Sequence, residues 1–406
     1  MKQGYLSNYF TGIAFKRLSA VEANPTRSNQ HEFNGVDQLK KILGTDRNSF
    51  SAKFIYLGEH EAETIFDTGF VTWYDARKSH PTRSEYRLYY PSTSVSEAAV
   101  EEDLLVIGKL PDGSVLVIIV RAGTTFESNI LWLFNLPVED LQMKFTIQEI
   151  VKENNLELGY ASRVILTELG MEINVTDDNY LELMLEKFGG KFPKTRVFSA
   201  FARETLHDIS ALDSPDKALI TWMDQEEILF RTLERHFVSK QLENGFEDVD
   251  TFISYSLSVQ NRRKSRVGHA LEHHLEQVFS DHSVLYSRGK KTENKAKPDF
   301  IFPNIESYHS QEFPSSYLTM SGVKSTCKDR WRQVLSEAAR IEKKHLITLE
   351  PGISENQTNE MIANNLQLVI PQELHLTYKS TQQEWLVNVQ EFLDFVKVKQ
   401  FASRKL

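Results

Sequence analysis

The chain has 406 residues, 40% hydrophobic and 11% aromatic, enough for a buried core and too long for one ordinary domain. Its formal charge of −9, read alone, argues against a nucleic-acid partner, and the single cysteine, Cys327, excludes a disulfide framework or a cysteine-rich zinc site. No apolar run approaches the roughly 18 residues of a membrane helix, and "MKQGYLSNYFTGIAF" lacks a signal-peptide core, so a cytoplasmic location is expected. The charge is nevertheless uneven. From Asn261 to His345 there are 16 Lys and Arg against 10 Asp and Glu, leaving this window at +6 and the rest of the chain at −15. A local basic face is what phosphate binding requires, because phosphates respond to the local field rather than to net charge; a solvated lysine-rich helix surface is the plainer alternative.

In chain order, residues 1–165 read as mostly β. "SAKFIYLG", "GFVTWYDA", "YRLYYP", "DLLVIGKL", "SVLVIIVRAG" and "NILWLFNL" are short β-branched and aromatic runs punctuated by Gly, Asp, Asn or Pro, the spacing of a barrel or sandwich. "LPDGSV" predicts a turn between two of them. Residues 166–200 weaken into "GMEINVTDDNY" and "FGGKFPK", with Gly189, Gly190 and Pro193, and are expected to form a hinge. Residues 201–406 then form a second domain.

Helical periodicity opens that domain. "VGHALEHHLEQVFSDH" places Val267, Ala270, Leu271, Leu275, Val278 and Phe279 on one face. "DFIFP", "SYLTMSGVKS", a helix from about Thr326 to Lys343, "HLITL" and "LQLVIP" follow. The order helix, strand, strand, helix, strand, strand predicts an α/β domain with a mixed sheet.

Metal-assisted phosphodiester hydrolysis needs carboxylates to hold a divalent cation, and a cation near the attacking water or the scissile phosphate. "KPDF" supplies Asp299 at the start of one strand, and "SGVKS" supplies Lys324 at the end of the next, 25 residues on. The carboxylate usual two residues before such a lysine is absent, since that position is Gly322. A second acid is available on the following helix. There Trp331, Val334, Leu335, Ala338 and Ile341 form a buried stripe with Glu337 at its edge, 13 residues after Lys324. Glu337 either leans over the strand end to meet Asp299 or pairs with Lys344 or Arg340 at the surface. Substituting Gly322 with alanine is expected to be much milder than substituting Glu337.

"SVQNRRKSRVGHALEHHLEQVF", "KPDFIFPNIESYHSQEFP", "VKSTCKDRWRQVLSEAARI" and "LQLVIP" closely resemble the catalytic domain of EcoRII-type restriction endonucleases over roughly residues 200–395. The resemblance implies a restriction-endonuclease fold with the acid displaced onto the helix. Asp299 and Glu337 become metal ligands, Lys324 the catalytic lysine, and Glu272 in "HALEHHLE" a weaker further candidate, with Glu276 able to take that role instead. Lys328, Asp329 and Arg330 become the base-reading segment, cationic donors suiting guanine O6 and N7 and a carboxylate suiting cytosine N4, while Trp331 is expected in the core. Arg262, Arg263 and Lys264 in "NRRKSR" become a DNA-backbone clamp.

"YFTGIAFKRLSA" and "PTRSEYRLYY" resemble, more loosely, the family's effector-DNA domain, a β pseudobarrel similar to the plant B-three fold. By that match Arg83, Glu85 and Arg87 lie on one recognition arm and His31, with Lys16 and Arg17, on or near the other. Strand alternation would put Arg83, Glu85 and Arg87 on one face, able to read a G·C step or simply to carry a cross-strand ion pair. "ITWMDQEEILF" agrees poorly with the family's base-extruding helix, and its Trp222 could stack on a flipped base or pack between helices.

The expectation is therefore a two-domain, Mg²⁺-dependent Type II restriction endonuclease of bacterial cytoplasm. The family implies a homodimer on double-stranded DNA, a palindrome-like CC(A/T)GG site, a second copy of the site bound as effector, and a partner methyltransferase. A catalytically silent DNA-binding protein and a defence nuclease of relaxed specificity are the alternatives.

Overall fold

Five of the six short β-prone runs pair with three further strands into one sheet in the N-terminal unit. A computed structural model of the chain describes residues 5–23, 31–33, 36–136, 144–150, 159–171, 178–327 and 330–404. By compactness the chain divides into Met1–Glu172 with Gly352–Asn356, and Ile173–Pro351 with Gln357–Leu406.

The N-terminal strands are β1 (Gly12–Arg17), β2 (Glu32–Phe33), β3 (Asn48–Leu57), β4 (Ile65–Asp75), β5 (Tyr86–Tyr89), β6 (Leu104–Lys109), β7 (Val115–Val120) and β8 (Thr146–Glu149). They hydrogen-bond in the order β2-β5-β4-β3-β7-β6-β1-β8, so the unit is one sheet and not a two-sheet sandwich. Alternate residues such as Phe50, Ala52 and Phe54 on β3, Leu105 and Ile107 on β6, and Val115, Val117 and Ile119 on β7 share one core with Phe33 of β2 and Phe145 beside β8. Residues from both ends of the sheet meet in that core, so the sheet curls around it. The "LPDGSV" turn joins β6 to β7, with Gly113 at φ +87° and Asp112 accepting the Ser114 N–H at 2.8 Å.

One predicted strand is a helix. "NILWLFNL" lies in and just after α1 (Thr125–Leu133), because Thr124 caps it by accepting the Glu127 N–H at 3.3 Å. The Thr-x-x-Glu spacing of Thr124 and Glu127 is a capping signal that outweighs the β-branched character of the run.

In the second unit, α2 (Leu181–Phe188) and α3 (Thr195–Glu204) lie in and just beyond the C-terminal part of the expected hinge. Gly189 ends α2 in the left-handed conformation, so the glycine pair and Pro193 mark a turn between helices. Met184, Phe198, Phe201 and Ala202 pack against Leu229, Phe230 and Leu233 of the long α4 (Pro215–Asn244). The helix expected at 267–282 is the C-terminal part of a longer one: α5 runs from Val249 to Asp281 and buries Ala270, Leu271, Leu275, Val278 and Phe279 along the predicted face.

Five strands complete this unit: β9 (Ser287–Arg288), β10 (Phe300–Phe302), β11 (Thr319–Lys324), β12 (Lys344–Thr348) and β13 (Leu366–Val369). Their order is β13-β12-β11-β10-β9, antiparallel from β9 to β11 and parallel from β11 to β13, the expected mixed sheet. Between β11 and β12 lies α6, which covers only Trp331–Leu335 and not the predicted 326–343. Trp331, Val334, Ala338 and Ile341 are nonetheless buried as predicted. No helix among the described residues is long and apolar enough to cross a membrane.

Candidate active site

The antiparallel register of β10 and β11, Phe300 opposite Ser321, brings Asp299 to the end of β11. Asp299 Oδ2 accepts the Val323 N–H at 2.7 Å and the Lys324 ammonium at 3.2 Å, while Lys324 Nζ also donates to Val323 O at 3.1 Å. Both side chains stay about one-fifth exposed, Lys324 at 19% and Asp299 at 22%, so a substrate can reach them.

Gly322 shows why no acid stands two residues before the lysine. A Cβ there would lie 2.6 Å from Val334 Cγ2, because Val334 packs against the strand from α6. Any side chain at 322 would have to displace that helix. The expectation that Gly322→Ala is milder than Glu337→Ala concerns cleavage; in stability, overfilling a close-packed contact costs about 1–3 kcal/mol, and chemical denaturation should show a loss of that size. Unchanged stability would mean that α6 yields freely.

The acid comes instead from just beyond α6. Glu337 is half-buried, and its Oε2 is buried without a hydrogen-bond partner among the described residues. Burial first, then the neighbouring Asp299 carboxylate, push the Glu337 carboxyl up to about 7, against the pull of Lys324 and Lys344. Two acids that repel each other, one of them with an orphaned oxygen, form a site that a divalent cation relieves. Mg²⁺ is commonly held by one or two carboxylates, with water and phosphate oxygens completing its shell. The donor set thus fits the ion, although no cluster of three or more His, Cys, Asp or Glu ligands occurs among the described residues. Neither surface partner considered for Glu337 takes it up. Lys344 Nζ donates to Ile341 O at 2.8 Å, and the Arg340 guanidinium is spent on backbone carbonyls, including Ser310 O at 2.9 Å and Phe313 O at 2.8 Å.

Glu272 and Glu276 lie on α5 and face Arg288 of β9, a residue the sequence reading did not single out. Arg288 Nε donates to Glu272 Oε2 at 3.0 Å, and Arg288 Nη1 donates to Glu276 at 2.5 Å. Burial alone would raise the Glu276 carboxyl, but His273, Arg196 and Arg288 outweigh it and hold it at about 2. Both acids are already neutralised by arginine, so the metal assignment rests on Asp299 and Glu337.

Of the expected reading segment, Lys328 and Asp329 lie outside the described residues. Arg330 is exposed and folds its guanidinium onto Thr326, donating to its Oγ1 at 2.6 Å. Trp331 is 1% exposed and belongs to the core. Trp222, at 3% exposure, packs beside His274. Within "NRRKSR", Lys264 is exposed, Arg262 lies 4.4 Å over the Phe192 ring, Arg263 pairs with Glu234 at 2.7 Å, and Arg266 is buried against Glu226 and Glu227.

The N-terminal candidates are arranged differently from a single strand face. β5 begins at Tyr86, so Arg83 and Glu85 precede it and only Arg87 is on the strand. Two guanidinium groups do flank the Glu85 carboxylate, but they belong to Arg77 at 2.5 Å and Arg87 at 2.8 Å, while Arg83 is exposed. Arg87 also pairs with Glu32 on β2 at 2.7 Å. His31 packs edge-on against Tyr90, its Nδ1 buried without a hydrogen-bond partner among the described residues. Lys16 and Arg17 are corrected as surface contacts: Lys16 is fully buried on Glu22, and Arg17 is mostly buried on Glu127.

A family model described as EcoRII C terminal matches residues 230–393. Over 393 residues, 95% of this chain and 93% of the relative, the sequence is 31% identical to the Type II restriction enzyme EcoRII of Escherichia coli. Among solved structures, metal-depleted Ecl18kI in complex with uncleaved DNA aligns with a TM-score of 0.44 at 19% identity, over 56% of this chain and 84% of that one. The restriction endonuclease PspGI–substrate DNA complex aligns with a TM-score of 0.44 at 14% identity, over 51% of this chain and 93% of that one.

Proposed function

This chain belongs to the EcoRII family of Type II restriction enzymes and is a site-specific DNA endonuclease, and from that premise we propose that it hydrolyses duplex DNA with Mg²⁺ held by Asp299 and Glu337. The observation that carries the assignment is the convergence of these two carboxylates beside Lys324, with one Glu337 oxygen buried and unpartnered among the described residues. When bound, Mg²⁺ offsets charge on the scissile phosphate and makes the attacking water more acidic. Asp299 orients Lys324 through the hydrogen bond at 3.2 Å, and the ammonium, still partly exposed, is placed to donate to a phosphate oxygen or to the attacking water. The Val323 N–H at 2.7 Å fixes the Asp299 carboxylate on the strand end.

In the same reading Arg330, with Lys328 and Asp329, contacts base edges of a CC(A/T)GG-like site, and Lys264, Arg262 and Arg263 contact the backbone. Two copies act on the two strands, the N-terminal pseudobarrel holds a second copy of the site through His31, Arg83, Glu85 and Arg87, and a methyltransferase protects host DNA. Digestion of a plasmid of known sequence with Mg²⁺, followed by mapping of the ends, tests the reading. Recurrent double-strand ends at one short sequence, abolished by chelation, are expected; ends scattered over unrelated sequences would refute site-specific cleavage. Arg330→Ala should weaken binding by about 1–3 kcal/mol and relax discrimination at one G·C pair. Equal weakening on all sequences would make Arg330 a phosphate contact.

A further inference from the structure

The geometry points to Tyr308 and Glu293 as positioning residues for Glu337, acting through the peptide groups that follow it. The inference rests on the reading of Glu337 as a metal ligand. Glu337 does not ride on a regular helix. Helix α6 ends at Leu335, the Glu337 N–H reaches Val334 O at 3.2 Å, and Ala338 adopts φ +48°, a conformation unfavourable for alanine. Such a backbone persists only where its surroundings over-determine it.

Those surroundings are specific. In a continuing helix the N–H groups of residues 339 and 340 would bond to the preceding turn. Here the Ala339 N–H faces the Glu293 carboxylate and favours its charged form, and the Arg340 N–H goes to the Tyr308 hydroxyl at 3.3 Å. That hydroxyl in turn donates to Glu293, 2.6 Å from Oε2 and 2.8 Å from Oε1. The Arg340 side chain closes the arrangement by donating to the carbonyls of Tyr308, Ser310 and Phe313. Tyr308 therefore replaces the helical acceptor of residue 340, Glu293 fixes the Tyr308 hydroxyl, and the turn carrying Glu337 has one place to be. Mg²⁺ tolerates little departure from octahedral geometry, so a ligand on a loosened turn binds it poorly even when the carboxylate is intact.

The test uses full-length protein and a plasmid that the wild type cuts. Tyr308→Phe removes the hydroxyl and keeps the buried ring, Glu293→Ala removes the acceptor at an exposed position, and Glu293→Gln restores an acceptor. Two quantities are read: the metal concentration for half-maximal cleavage, and the Mn²⁺ dissociation constant followed by electron paramagnetic resonance. Both should rise about 10–100-fold in Tyr308→Phe and Glu293→Ala, with Glu293→Gln nearer the wild type and cleavage recovering at high metal. Wild-type midpoints, or a lower maximal rate at an unchanged midpoint, overturn the proposal. Should Tyr308→Phe melt early, the Glu293 pair carries the same test. Glu337→Ala run alongside separates the two claims: full cleavage by it overturns the metal-ligand reading and this proposal together, whereas unchanged midpoints beside an inactive Glu337→Ala overturn this proposal alone.

Discussion

Glu337→Ala is expected to abolish DNA cleavage while leaving sequence-specific binding measurable in Ca²⁺. The substitution removes one of two carboxylates at the cation site and touches none of the groups assigned to base reading. It also removes the partner that repels Asp299, so the folded protein should be no less stable, which separates loss of chemistry from loss of fold. The same carboxyl gives a pH signature. Its pKa is raised to about 7, so below that pH the protonated acid predominates and a cation must displace the proton. Metal binding should therefore weaken about tenfold per pH unit below 7 and level off above it, with close to one proton released per ion bound at pH 6. Calorimetry in buffers of different ionisation enthalpy measures that release. A metal affinity independent of pH between 5 and 8 would remove Glu337 from the site.

The second large effect belongs to the N-terminal unit. If Arg83, Glu85 and Arg87 bind a second copy of the site, a plasmid with one site should be cut poorly, and an added duplex oligonucleotide carrying the site should stimulate it. Stimulation can be no larger than the difference in effector affinity between the less and more active states. Arg83→Ala with Arg87→Ala should remove it without altering metal binding, because Arg83 is exposed and Arg87 pairs only with Glu85 and Glu32 among the described residues. A fragment lacking the N-terminal unit should cut the one-site plasmid unaided. It should begin near residue 173 rather than at Pro193, since Met184 of α2 is part of the second unit's core and its loss would open a cavity. Equal cleavage of one-site and two-site plasmids, unchanged by truncation, would give this unit another role.

Where the sequence carried a short-range physical signal, the architecture was legible. Alternating β-branched runs marked β3 to β7, and the period of Ala270, Leu271, Leu275 and Val278 marked the buried face of α5. Asp299 and Lys324 could be paired in advance because adjacent antiparallel strands bring a strand start to the next strand's end, as the register of β10 and β11 does. The misses share a cause. The helix carrying Glu337 was read as running to Lys343, but Tyr308, held by Glu293, captures its backbone from elsewhere in the chain, and no local propensity reports that. The Arg83–Arg87 alternation failed because β5 starts at Tyr86, where Asp75 Oδ1 accepts the Glu85 N–H at 2.8 Å across the turn. Arg288, which neutralises Glu272 and Glu276, carried no pattern of its own; only its place on β9 opposite Phe300 brings it to α5.

The central claim is that Asp299 and Glu337, 38 residues apart, share one divalent cation. The most direct measurement is anomalous diffraction from Mn²⁺ in crystals of the protein bound to a duplex carrying its site. A peak is expected about 2.1 Å from a carboxylate oxygen of each residue, with Lys324 beside it. A peak held by Asp299 with Glu272 or Glu276, and with Glu337 turned away, would contradict it.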